Sequence, residues 1–211
     1  MALARDGALR GHTYKKMPLD RLSLERPDFS GATFDAISMT GSDLREADLS
    51  RVAFKQTVLS RTILDGALLD HTSFSICDLT EVDLTGAHLE DVEVIESYMM
   101  KVGLDRAKLV STRFSKVNLA SARMNQAVLI KCIFAYDENS PESMMRAQLN
   151  RAVLIQCDLQ KANLIGADLR GALLVRCDLT KAQLTRAQVE GSRLIDCRTL
   201  GADLPDGLVT R

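Results

Sequence analysis

The sequence predicts an all-β fold: a coil with flat sides, each side made by one five-residue repeat. Three observations lead there. Counting in fives from Phe29 to Leu194, 33 of 34 positions are Leu, Phe, Met or Val, and the exception is Asn139. Two residues before each of these lies a small or β-branched residue; from position 32 to 197, 32 of 34 are Ala, Val, Thr, Ser, Cys or Ile. Nine of the twelve glycines share a third phase: Gly11, Gly31, Gly41, Gly66, Gly86, Gly166, Gly171, Gly191 and Gly201.

A period of five suits neither standard element. On an α-helix five residues advance about 500°, roughly 140° past a full turn, so the large side chains would spiral round the surface. On a flat strand residues i and i+5 point to opposite faces, because five is odd. A chain that bends at every repeat keeps both apolar phases inward, since positions two apart share a face of an extended segment. The bend needs a backbone position that accepts positive φ, which glycine supplies at no steric cost. The other phases are mostly polar, as outward positions should be.

The motifs Ala47-Asp48-Leu49, Ala162-Asn163-Leu164, Ala167-Asp168-Leu169, Cys177-Asp178-Leu179 and Ala202-Asp203-Leu204 resemble the A(D/N)LXX signature of the pentapeptide repeat family over about residues 24–204. The resemblance implies a right-handed quadrilateral parallel β-helix with four repeats per coil, here about eight coils. The expected division is a tail or cap at 1–23, β-helix at 24–134, a loop excursion at 135–145, C-terminal coils at 146–204 and a tail at 205–211. The loop is expected because Asp137, Asn139 and Glu142 fall on inward phases and Pro141 cannot donate a ladder hydrogen bond.

Catalytic and metal chemistry find no support. Cys77, Cys132, Cys157, Cys177 and Cys197 all occupy the small inward phase, where a free thiol behaves as a small hydrophobe. Cys157, Cys177 and Cys197, twenty apart, should stack as a buried ladder. There is no CxxC pair and no histidine at ligand spacing. His71, Asp91 and Ser111 are also spaced by twenty, yet exposed ladders arise by default on such a coil, and a flat side offers no pocket. No cofactor or metal is expected. Without an apolar run near the ~18 residues of a membrane span, the expectation is a cytoplasmic protein without a membrane segment.

The net charge of -1 hides segregation. Residues 62–100 hold nine acids and no Lys or Arg, whereas residues 101–211 hold 17 basic and 11 acidic residues, a net of +6. Three candidate partner surfaces follow. The first is an acidic waist of Asp70, Asp78, Glu81, Asp83, Glu90, Asp91 and Glu93. The second is the excursion, with Tyr136, Asp137, Glu138, Asn139 and Pro141 as recognition residues. The third is a stripe of apolar residues at outward phases, Val153, Ile155, Leu173, Val175 and Ile195, expected as a homodimer contact in the C-terminal coils.

The functional expectation is a non-enzymatic scaffold that binds a protein partner through its rod surface, and not nucleic acid directly, for the basic residues show no aromatic interleaving. A second reading stays open. The resemblance extends to Qnr-type members of the family, which implies a DNA-mimicking regulator of DNA gyrase, a type II topoisomerase, with the acidic waist presenting a DNA-like field.

Overall fold

The computed structural model describes residues 9–135 and 143–210. Among them there is no helix, and the short strands form two parallel sheets of seven. One sheet runs through Thr13–Lys15, Thr33–Asp35, Ala53–Lys55, Ser73–Ser75, Glu93–Ile95, Arg113–Ser115 and Ile133–Ala135. The other runs through His88–Glu90, Lys108–Val110, Val128–Ile130, Val153–Ile155, Leu173–Val175, Arg193–Ile195 and Val209–Thr210. Successive strands pair twenty residues apart, as in Phe34 with Phe54 and Phe54 with Phe74. Twenty residues are four repeats, so each turn has four faces. The faces without strands are tied by single bridges such as Ser38 with Val58 and Asp43 with Ile63. The result is a β-solenoid of about nine turns.

We number the faces by their central side chains: the first through Phe34 and Phe54, the second through Met39 and Leu59, the third through Leu44 and Leu64, the fourth through Leu49 and Leu69. All of these are at most 1% exposed, as is nearly every member of the large apolar phase. The first face carries an aromatic ladder. Tyr14, Phe34, Phe54 and Phe74 stack at 5.0, 5.1 and 4.9 Å between ring centroids, Val94 interrupts, and Phe114 and Phe134 resume at 5.1 Å.

The small phase does more than fill space. Where it is Thr or Cys, the side chain donates to the carbonyl of a central residue one turn back: Thr62 Oγ1 to Met39 at 2.8 Å, Thr72 Oγ1 to Leu49 at 2.7 Å, Cys177 Sγ to Leu154 at 3.4 Å. The Met39 and Leu49 carbonyls also accept the turn hydrogen bond from the residue three further on, Ser42 N–H at 3.1 Å and Val52 N–H at 3.2 Å. Both lone pairs are used, and among the described residues no buried side-chain polar atom lacks a partner.

The signature Asp or Asn also has a local task. It precedes the central residue, and its Oδ1 accepts the N–H two residues on: Asp48 from Ser50 at 2.9 Å, Asp78 from Thr80 at 2.9 Å, Asp178 from Thr180 at 2.9 Å. These are Asx turns, which satisfy a backbone donor that the sparse ladder leaves over. Each corner then places one residue at positive φ; where the turn hydrogen bond is made, as from Val52 N–H to Leu49 O, that residue is the third of the four in the turn. Nine glycines of the shared phase sit there, and so do 28 other residues, more than half of them Lys or Arg. The chain thus mounts most of its cations on the edges of the rod.

Three boundaries differ from the sequence expectation, one of them in the C-terminal tail, where Val209–Thr210 adds a strand against Arg193 and Leu194. The coil already runs through the segment set apart as tail or cap: Thr13–Lys15 pairs with Thr33–Asp35, Pro18 bridges Ser38, and Ser23 bridges Asp43. Leu9, Tyr14, Leu19 and Leu24 continue the large apolar phase and pack on the core, whose end turn they close. Near the excursion, Ala135 ends a strand and Met144 is fully buried, with Leu119 N–H donating to Ser143 O at 2.6 Å. Partners across this point are 25 residues apart, Val128 with Val153 and Ile133 with Asp158, so the net insertion is one repeat. Tyr136, Asp137, Glu138, Asn139 and Pro141 lie outside the described residues.

Candidate interaction surface

The fourth face changes character along the rod. Its strands present two outward columns, one residue before and one after the buried central leucine. In the N-terminal turns these columns read Asp28, Asp48 and Leu68, then Ser30, Ser50 and Asp70. From Lys108 onward the first column runs Lys108, Val128, Val153, Leu173, Arg193. The second runs Glu90, Val110, Ile130, Ile155, Val175, Ile195. Eight aliphatic side chains therefore lie in register on five consecutive strands. All eight are half-buried, flanked by their neighbours but open above. At the inter-strand spacing, five strands span about 19 Å along the rod axis.

The strip contains all five residues expected as a contact: Val153, Ile155, Leu173, Val175 and Ile195. Sequence spacing missed Val110, Val128 and Ile130, because the one-repeat insertion turns the step of twenty into 25. Strand propensity alone does not call for the strip, since the outward positions of the first-face sheet are mostly polar, with Thr33, Asp35, Lys55, Ser73, Ser75, Glu93, Arg113 and Ser115 beside Ala53, Ile95, Ile133 and Ala135.

The acidic waist is a girdle and not a patch. Asp78 lies on the second face, Glu81 on the next corner, Asp83 on the third face, Asp70 and Glu90 on the fourth, Asp91 on the corner after it and Glu93 on the first. Several acids are already engaged. Glu81 sits between Arg61 at 3.1 Å and Lys101 at 3.5 Å, and these two cations hold its carboxyl below the ordinary value. Asp83 Oδ1 accepts from Thr85 N–H at 3.1 Å and from its hydroxyl at 2.6 Å. Asp70 accepts from Glu90 N–H at 3.1 Å.

His71 Nδ1 lies 3.6 Å from Asp91, both side chains about half exposed on a corner. That spacing is beyond a hydrogen bond, and nothing there excludes water. Among the described residues no group of three or more His, Cys, Asp and Glu is placed to hold a metal ion. Cys132, Cys157, Cys177 and Cys197 stack on successive turns, the insertion adding Cys132 to the expected ladder. Contact with neighbouring thiols and burial push Cys157 up to about 12 and Cys177 up to about 11, so these sulfurs stay protonated packing groups. An open groove of about 350 Å³ runs past Asp158, Arg176, Asp178 and Arg198. Its acids are partnered: Asp178 with Thr180 N–H and with Arg198 at 3.7 Å.

Comparison with known proteins agrees with this geometry. The family model "Pentapeptide repeats" matches in eight copies, over residues 23–61, 54–91, 147–182 and 162–198. Among solved structures, full-length QnrB1, described as a plasmid-mediated fluoroquinolone resistance protein, is 18% identical; the match covers 94% of this chain and 93% of that one with a TM-score of 0.51. HetL, described as involved in heterocyst differentiation regulation in the cyanobacterium Nostoc sp. strain PCC 7120, is 24% identical over 92% of both chains with a TM-score of 0.43. At such identities the likeness to QnrB1 concerns the fold alone. No curated protein matches the chain. Among the described residues no helix is long and apolar enough to cross a membrane.

Proposed function

We propose that this chain, which belongs to the pentapeptide repeat family, is a non-enzymatic protein-interaction scaffold whose contact surface is the aliphatic strip on the fourth face of its C-terminal turns. Proteins of this family are generally scaffolds of this kind. The observation that carries the reading is the register itself: eight aliphatic side chains stay outward in two adjacent columns over five strands of one rigid face, whereas outward apolar residues elsewhere, Val58, Leu68, Ile95, Tyr98 and Ile133 among them, do not line up in two such columns. A contiguous apolar surface of this sort is costly to leave in water unless something covers it. The flat faces and the partnered acids of the corner groove offer no enclosure for a substrate, which favours binding over catalysis.

The test is a pull-down from the native host with the chain and with Ile155→Asp combined with Val175→Asp. Both side chains point outward, so the variant should keep the β-sheet spectrum of the parent. Loss of the captured set from the variant supports the reading, and an unchanged set contradicts it.

A gyrase-directed, DNA-mimicking reading draws support from carboxylates at the spacing of the turns, Asp70 below Glu90 above all. It is the weaker of the two, because the girdle spreads its acids over four faces and Arg61 and Lys101 neutralise part of it. A gyrase supercoiling assay with and without a quinolone separates them: inhibition or protection at micromolar protein would favour the mimic.

A further inference from the structure

The strip has a frame of cations. Arg106, on the preceding corner, and Lys108 stand at its foot; Arg151, also on the preceding corner, and Lys131 and Arg176 on the following corner flank it; Arg193 closes the first column above Leu173. All six side chains are exposed. Arg176 is 4.0 Å from Asp196, whereas the other five have no carboxylate in ion-pair range among the described residues. Asp196 is the acid within ion-pair reach of the frame, and Glu90 precedes Val110 in the second column at its foot. Asp105, Asp158 and Asp178 lie round the corners on the adjoining faces, and Asp105 and Asp178 are bound there to Arg123 and Arg198.

We propose that this framed strip docks an amphipathic helix of a partner protein, an apolar stripe bordered on both sides by Glu or Asp. The proposal rests on the scaffold reading above. The strip is two side chains wide and about 19 Å long, with its long axis along the rod; about 13 residues of helix cover that length. The apolar stripe of such a helix is narrow and is flanked by polar positions, and those positions fall over the two corners. Charge then selects the partner, since carboxylates on both flanks meet Arg106, Arg151, Lys131 and Arg176.

The same frame works against three other occupants. In a symmetric pair of these chains, packed strip to strip, cations would face cations whichever way the rods ran, so self-association is disfavoured. A bilayer would seat its anionic headgroups on the Arg and Lys side chains, but these are longer than the half-buried valines and isoleucines and hold them back from the acyl boundary. Nucleic acid would set its phosphates over aliphatic carbon, and the strip has no aromatic ring on which a base could stack.

The experiment uses the full chain and four probes. Fluorescence anisotropy is read with a synthetic 18-residue amphipathic helix carrying a Leu/Ile stripe and Glu flanks, and with the same peptide carrying Lys flanks. Co-sedimentation is read with phosphatidylglycerol vesicles, and sedimentation equilibrium reports self-association. The Glu peptide should bind, about tenfold more weakly at 0.5 M than at 0.05 M salt. Lys131→Glu, Arg151→Glu and Arg176→Glu together should weaken it at least tenfold and let the Lys peptide bind instead. Equal or tighter binding of the Lys peptide to the parent chain, vesicle binding in place of peptide binding, or a strip-dependent dimer would overturn the acidic partner. If Ile155→Asp with Val175→Asp abolishes one of those alternative interactions, the strip remains a contact surface. If the Glu peptide does not bind and no probe responds to changes in the strip, the proposal and the scaffold reading fail together.

Discussion

Replacing Phe54 with Ala should be among the most damaging single changes in the chain. Phe54 is 1% exposed, and its ring lies between Phe34 at 5.1 Å and Phe74 at 4.9 Å, within 10° and 2° of parallel. Large-to-small core changes of this type cost about 3–5 kcal/mol, the upper part where the surroundings cannot collapse. Here the walls are backbone turns fixed by their own hydrogen bonds, Gln56 N–H to Ser75 O at 2.9 Å among them, so the void persists. The two lost ring contacts, about 0.5–1.5 kcal/mol each, are part of that cost. The expected loss is therefore about 4 kcal/mol. Phe54→Leu keeps most of the volume and forfeits chiefly the ring contacts, so it should cost about 1–2 kcal/mol. Urea titration followed by circular dichroism gives both numbers. Amide exchange should show the loss concentrated in the turns that contain residues 33–35, 53–55 and 73–75, because each turn of a solenoid contacts only its neighbours. A loss under about 2 kcal/mol, equal losses for Ala and Leu, or faster exchange chiefly beyond residue 150 would refute this reasoning.

Ile76 holds φ at +57° on a corner with its side chain 53% exposed, a strained setting for a β-branched residue. Ile76→Asn should raise stability by about 1 kcal/mol in the same titration, and a decrease would show that its side chain is packed in solution. Asp48→Ala removes the acceptor for Ser50 N–H at 2.9 Å and should cost about 1 kcal/mol; no change would mean that water serves the donor equally well. Asp28 is held down to about 2 by its hydrogen bond from Arg10. A depressed carboxyl stabilises the fold above its ordinary value near 3.8 and loses that contribution as pH falls through 2. Amide protection in the first turn should accordingly drop between pH 4 and about 2 in the parent and show less dependence in Arg10→Ala. Cys77, pushed up to about 11 chiefly by burial, should resist a thiol reagent at neutral pH, whereas Cys197, less enclosed at the end of its ladder, should label first.

Most of the fold is legible in the sequence because the constraint repeats. Leu49, Leu69 and Leu89 share one environment, so a single physical rule is written many times over, and Asp48 and Asp178 can be recognised by the same turn they cap. The first turn was hidden only by composition: Tyr14 and Met17 stand where Phe or Leu and Ala are usual, yet Tyr14 stacks on Phe34. Surfaces are harder to read. The acids of residues 62–100 are adjacent in sequence but are wound round four faces, so local density does not become a patch. The aliphatic strip behaves oppositely. Its residues are dispersed over residues 110–195 and gather only through the coil register, and the inserted repeat concealed Val110, Val128 and Ile130 from a count in twenties. The cationic frame was least visible, because it needs the corner positions, the register and the face assignment together.

One nuclear magnetic resonance measurement bears directly on the claim that the C-terminal strip is an open apolar face on a coil of alternating side chains. The methyl groups of the free chain are exposed to a neutral, water-soluble paramagnetic agent. Val128, Ile130, Val153, Ile155 and Val175 should relax strongly, while Leu129, Leu154 and Leu174, one position away in each strand and at most 2% exposed, should stay protected. Equal relaxation of both sets would contradict the register, and protection of both at low protein concentration would contradict an unpartnered strip.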